Sequence, residues 1–137
     1  MPVEIRNITS PVDIAVSGLR AENLRMNVIS ANIANANTSR TEAGGPYRRK
    51  DVIFSSLMDQ LDGVKVDQVV EDYATDFKQV FQPGHPDANA EGFVLMPNVD
   101  LPVEMMHLVT ASRAYQANAA VLKRYQESVD VTLELIR

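Results

Sequence analysis

From residue 101 almost to its end, the chain sets Leu101, Met105, Leu108, Ser112, Tyr115, Ala119, Leu122, Gln126, Val129, Leu133 and Ile136 at strictly alternating steps of four and three. That spacing is the seam of a heptad-repeat helix, and no glycine or proline follows Pro102 to break it. Asp100 supplies a capping oxygen, Pro102 is tolerated in the first turn, and Arg113, Lys123, Arg124, Glu127, Asp130 and Glu134 stay off the seam. The pattern predicts one helix over 100–136. At 1.5 Å per residue it is about 50 Å long, whereas a compact chain of this size is only about 35 to 40 Å across. A rod is expected, not a ball.

A second helix is expected over 11–35. Ser10 is placed to cap it, Pro11 suits the first helical position, and Asp13 opposes the positive helix end. Val12, Val16, Leu19, Met26 and Ile33 recur at helical spacing, with Ile14, Ala21, Leu24, Val28 and Ala31 beside them, so the apolar face is wide. Asn32, Asn35 and Asn37, set among small residues, are read as the caps that turn the chain out of this helix, with bonding between subunits as the alternative. A helix of about 25 residues covers only part of a seam of about 35, which leaves apolar surface for helices from other chains.

Between the helices, over 36–99, β-branched and aromatic residues gather at 47–56 and 64–70. Gly63 marks a turn, Phe77, Val80 and Phe81 extend the ribbon, and Phe93-Val94-Leu95-Met96 forms a further strand after the turn-rich Gln82-Pro83-Gly84-His85-Pro86. The expected fold is mainly α: an elongated antiparallel, coiled-coil-like pair of terminal helices with a small central β segment, all within a single domain, 1–137.

Charge narrows the function. The chain has 13 basic and 18 acidic residues, a net charge of -5, and no cysteine. Residues 63–100 hold two basic and seven acidic groups, and so account for all of the net charge. An acidic chain is a poor binder of phosphate backbones, and the basic run Arg48-Arg49-Lys50 beside Asp51 is read as a solvated loop rim. No apolar run is long enough to span a membrane, and residues 1–6 lack the pattern of a cleaved secretory signal. Without cysteine there is no disulfide, thiolate nucleophile or thiolate metal site.

Catalytic signals are weak. His85 and His107 are the only histidines, and no nucleophile elbow, phosphate loop or dinucleotide fingerprint occurs. Asp72 with Asp76, or Asp59 with Asp62, could pair for acid–base work, but solvated charge is the plainer reading. Asp87-Ala88-Asn89-Ala90-Glu91-Gly92 resembles the first half of a calcium loop, yet Asn98 stands where the closing glutamate belongs and no helices flank it closely. No catalytic, metal or cofactor-binding residue is assigned, and no cofactor is expected.

Three blocks carry a family resemblance. Ser17-Gly18-Leu19-Arg20-Ala21-Glu22, leading to Asn32-Ile33-Ala34-Asn35-Ala36-Asn37-Thr38, matches a signature shared by rod, hook and hook-associated axial proteins. The run from Pro83 to Val99 is similar to a block of the proximal-rod members, and Ala111-Ser112-Arg113-Ala114-Tyr115-Gln116-Ala117-Asn118 matches the terminal-helix signature. On these residues the chain resembles the bacterial flagellar basal-body rod proteins.

The resemblance implies a structural subunit of the proximal rod, not an enzyme. It would be exported by the flagellar type III apparatus without a cleaved signal and would polymerise in the periplasm. Implied neighbours are further copies of itself, the rod subunits FlgB, FlgF and FlgG, and FliE. The residues by themselves leave open a second reading, a coiled-coil adaptor in a flagellar or secretion-related assembly that does not polymerise. In either case the packing seam comprises Leu19, Met26, Ile33, Leu101, Met105, Leu108, Tyr115, Ala119, Leu122, Val129, Leu133 and Ile136, and the capping and turn residues are Ser10, Asn32, Asn35, Asn37 and Asp100. Tyr115, central on the seam, is the expected aromatic anchor.

Overall fold

A computed structural model of the chain describes residues 11–56 and 63–136. Two helices enclose four short strands: α1 (Pro11–Ala34), β1 (Lys50–Ser56), β2 (Val64–Glu71), β3 (Lys78–Phe81), β4 (Phe93–Met96) and α2 (Leu101–Leu135). The mainly α architecture is as expected. The 35 residues of α2 make a helix of about 52 Å.

Two of these helix ends have a cause in the local sequence. The Asp100 carboxylate accepts from the Val103 amide at 3.3 Å, and proline occupies the first turn of α2. At the end of α1, the Asn35 side chain adds a 2.9 Å bond to the Ala31 carbonyl that its own amide already meets at 3.0 Å, and it accepts from the Thr38 hydroxyl at 3.2 Å, which ties the last turn to the departing chain. Ser10 lies outside the described residues.

The strands form two separate antiparallel hairpins, β1–β2 and β3–β4, and not one continuing ribbon. β1 begins at Lys50, three residues later than the composition indicated, because Tyr47, Arg48 and Arg49 are engaged elsewhere. A register shift between Ile53 and Phe54 bends the first hairpin.

Helices α1 and α2 pack along one another, while another face of α1 carries the β1–β2 hairpin. Small residues make both approaches close. A Cβ on Gly18 would come within 2.7 Å of Asn118 Nδ2 on α2. One residue earlier, the Ser17 hydroxyl accepts from the Val64 amide at 3.1 Å, beside Gly63, whose φ of 103° favours glycine. The buried apolar core is thin: Ala15, Ala21, Ile29, Val52, Val94, Val99 and Ala111.

Candidate functional site

Where the end of α1, the start of β1 and the start of α2 converge, three polar side chains are buried: Asn32, Asn98 and Glu104. Burying such groups is costly unless every donor and acceptor is matched, and at this junction they are. Asn32 Nδ2 donates to the Lys50 carbonyl at 2.8 Å and to Glu104 Oε2 at 3.0 Å. Its Oδ1 accepts from the Lys50 amide at 2.9 Å and from the Tyr47 hydroxyl at 3.0 Å. A primary amide can make four hydrogen bonds, so Asn32 is saturated, and by pairing with both main-chain groups of Lys50 it does for β1 what a neighbouring strand would do.

Glu104 uses its second oxygen on Arg49, whose Nε stands 2.6 Å from Oε1. Arg49 also reaches Asp51 at 3.2 Å, and its own amide donates to Asn98 Oδ1 at 2.7 Å. Asn98 closes the circuit by donating to the carbonyls of Asp72 and Thr75 at 3.0 and 3.1 Å. Burial alone would lower the Arg49 pKa, but hydrogen bonding and charge from Glu104, aided by Asp51, outweigh it and hold the guanidinium above its ordinary value. Burial, with the charges of Glu104 and Glu71, pushes the Tyr47 hydroxyl up, so it stays protonated and donates.

Beside this junction, Arg48 lies between two rings, 4.5 Å from the centroid of Tyr73 and 4.2 Å from that of Phe77, and donates to the Asp72 carbonyl at 2.8 Å. The reading of Arg48-Arg49-Lys50 as a solvated rim is therefore corrected. Arg48 clamps the segment after β2, Arg49 is the partner of a buried carboxylate, and the Lys50 backbone pairs with Asn32. Asn32 is likewise no cap: it sits within α1, with its amide committed to residues 15 to 72 positions away. Asn35 does bond the helix end, and Asn37 is exposed.

The seam residues divide. Leu19, Met26, Ile33, Leu108, Tyr115, Ala119 and Leu122 are half-buried, whereas Leu101, Met105, Val129, Leu133 and Ile136 are exposed. The residues most deeply buried on α2 are Glu104 and Ala111, so the face turned inward runs through 104, 108, 111, 115, 118 and 122. It shares Leu108, Tyr115 and Leu122 with the heptad seam and takes Glu104, Ala111 and Asn118 in place of Met105, Ser112 and Ala119. From Lys123 to the end of α2, and at Ile136 just beyond it, every residue is exposed.

Nothing among the described residues gathers catalytic groups. Asp72 serves its own turn, accepting from the Ala74 and Thr75 amides and the Thr75 hydroxyl. Those bonds to Thr75 hold its carboxyl below the usual range. In the calcium-like loop, Asn89 Oδ1 accepts from the Glu91 and Phe93 amides, and Asp87 accepts from Ser39 at 2.8 Å, so these oxygens are spent on loop structure. The groove between the 39–46 loop and the β3–β4 hairpin has Arg40 and Asp87 as its charged lining, 3.7 Å apart as an ion pair. Asp59 and Asp62 lie outside the described residues. No described helix is long and apolar enough to cross a membrane.

Residues 13–40 match the family "Flagella basal body rod protein", and residues 90–135 match "Flagellar basal body rod FlgEFG protein C-terminal". The flagellar basal-body rod protein FlgC of Yersinia enterocolitica is 44% identical over 126 residues, covering 90% of this chain and 93% of that protein. The chain belongs to the flagellar basal-body rod protein family. Other members of the family agree across distant bacteria: FlgC of Borreliella burgdorferi is 41% identical over 82% of the chain and 87% of its own length. FlgC of Bacillus subtilis is 38% identical over 90% and 95%. The two rod-family matches take in α1 and α2 almost whole, the elements that meet at Asn32 and Glu104.

Proposed function

We propose that this chain works as a structural subunit of the proximal rod of the flagellar basal body and polymerises through its terminal helices. The observation that carries the reading is the apolar surface of α2, where Leu101, Met105, Val109, Leu133 and Ile136 are exposed on a helix of a rod-family chain. In this reading 1–137 is one subunit domain, α1 and α2 pair in coiled-coil fashion, and the exposed seam positions Leu101, Met105, Leu133 and Ile136 bury against neighbours. If each subunit hides about 1,000 Å² of apolar surface, the gross gain is roughly 25 kcal/mol before the entropy of association is subtracted. That is enough to drive growth from the end of a polymer.

The neighbours are further copies of the chain, FlgB, FlgF and FlgG, with FliE at the base. The subunit is delivered by the flagellar type III export apparatus without a cleaved signal peptide and assembles in the periplasm. A test is complementation of a rod-deficient strain with Met105→Lys and Leu133→Lys together. Both positions are exposed, so the isolated variant should melt like the parent, while basal bodies seen by electron microscopy should lack a completed rod. Normal rods and full motility from this variant would defeat the polymerisation reading.

A further inference from the structure

Two contacts fix how α2 lies on α1. Asn32 meets Glu104, and Gly18 meets Asn118, so fourteen residues back along α1 correspond to fourteen forward along α2. The helices therefore run antiparallel in one register across about 21 Å. We propose that Glu104 and the close approach at Gly18 determine the register of the helix pair, selecting this alignment over the one displaced by a heptad.

The apolar pattern cannot make that choice alone. If α2 slides by seven residues, Leu108, Tyr115 and Leu122 are replaced on the inward face by Tyr115, Leu122 and Val129, and the stripe stays apolar. A repeating seam tolerates such a slip, which is why coiled coils use single buried polar residues to specify register.

The polar positions do not repeat. After the slide, Ala111 faces Asn32, leaving one amide hydrogen of Asn32 and the Nε of Arg49 without the carboxylate that now receives them. Stranding a hydrogen-bonded charge costs far more than the apolar contacts could return. At the other end, Tyr125 arrives where Asn118 now lies so close to Gly18 that even an added Cβ would crowd it. A slip in the opposite sense brings residue 97 level with Asn32, and Pro97 precedes the helix. Each end thus rejects the neighbouring alignment by a different means, one electrostatic and one steric.

In a polymer crowded with identical helices, such a device also favours a subunit's own α1 over an offset pairing with a neighbour's. The selection itself resides in the isolated chain, so its test is independent of the assembly reading.

The cysteine-free sequence allows two reporter pairs with a short bis-maleimide linker. Val28→Cys with Leu108→Cys reports the native register, and Val28→Cys with Tyr115→Cys reports the slipped one. In the parent chain, product should come from the native pair. In Glu104→Ala with Tyr125→Ala, which removes both barriers while Tyr125 is exposed in the native register, the ratio of slipped to native product should rise at least about tenfold at retained helical circular dichroism. Because that variant strands Arg49, a second background, Arg49→Leu with Glu104→Leu, removes both charges and keeps the steric end. It should show a smaller rise, and restoring Glu104 and Arg49 should abolish it. An unchanged ratio in either helical variant would overturn the proposal and assign register to apolar packing.

Discussion

Along α2 and its C-cap, residues 101–122 and 123–136 share one apolar spacing but occupy different surroundings. The first stretch lies against α1 and reaches Arg49 just before β1, with Glu104 and Ala111 buried and Leu108, Tyr115 and Leu122 half-covered. The second is exposed throughout, with Leu133, Leu135 and Ile136 more than half accessible. A helix is marginal in water without tertiary support, so the far stretch draws its helicity from continuity with the near one. Identical periodicity can thus encode two kinds of surface, one with a face held against the rest of the chain by a few matched polar groups and one exposed all round.

The sharpest way to break this contrast is at the near end. Glu104→Ala should destabilise the isolated chain by about 3 to 5 kcal/mol, because the half-buried Arg49 Nε and one amide hydrogen of the buried Asn32 lose their carboxylate; denaturant titration measures it. Asn32→Ala, which frees both main-chain groups of Lys50 and the Tyr47 hydroxyl, should cost about 2 to 3 kcal/mol in the same titration. Gly63→Ala forces a side chain into left-handed backbone against Ser17, and a loss of about 1 to 2 kcal/mol is expected.

A smaller effect tracks pH. The Asp72 carboxyl is held below its ordinary value by Thr75, so its contribution is present above the unfolded carboxylate range and fades as pH falls through the folded value. Asp72→Asn should therefore narrow the gap in melting temperature from the parent as the solution is acidified toward that range. The smallest change belongs to the far end: Leu133→Ala should move the stability of the isolated chain by less than about 0.5 kcal/mol, while reducing its incorporation into rods. A loss of 2 kcal/mol there would show that the far stretch is closed within the subunit after all.

Much of the architecture was legible from local chemistry. Asp100 and Pro102 mark the start of α2, Pro11 that of α1, Gly63 the approach to β2, and helical periods set the two lengths to within two residues. The junction was not legible in the same way. Periodicity counts apolar residues, so Glu104 passes for an ordinary first-turn acid, and only Arg49, 55 positions away, reveals why it is buried. Arg48 and Arg49 look like a solvated cluster until Tyr73, Phe77 and Glu104 are brought around them. Asn32 shares its run with Asn35, which does bond the helix end, and nothing in the composition separates the two. Their difference lies in which helix face the start of β1 crosses, a property of tertiary packing.

The saturated amide of Asn32 has a chemical consequence as well as a structural one. Asparagine ages when the backbone nitrogen of the following residue attacks its side-chain carbonyl, a reaction that needs freedom to bring the two together. Within α1 the Ile33 nitrogen is held in the helix, and the Asn32 carbonyl is pinned by the Lys50 amide and the Tyr47 hydroxyl. Conversion to aspartate would replace a donor to Glu104 with a second carboxylate, so the same bonds that join three elements also shield the residue whose decay would part them.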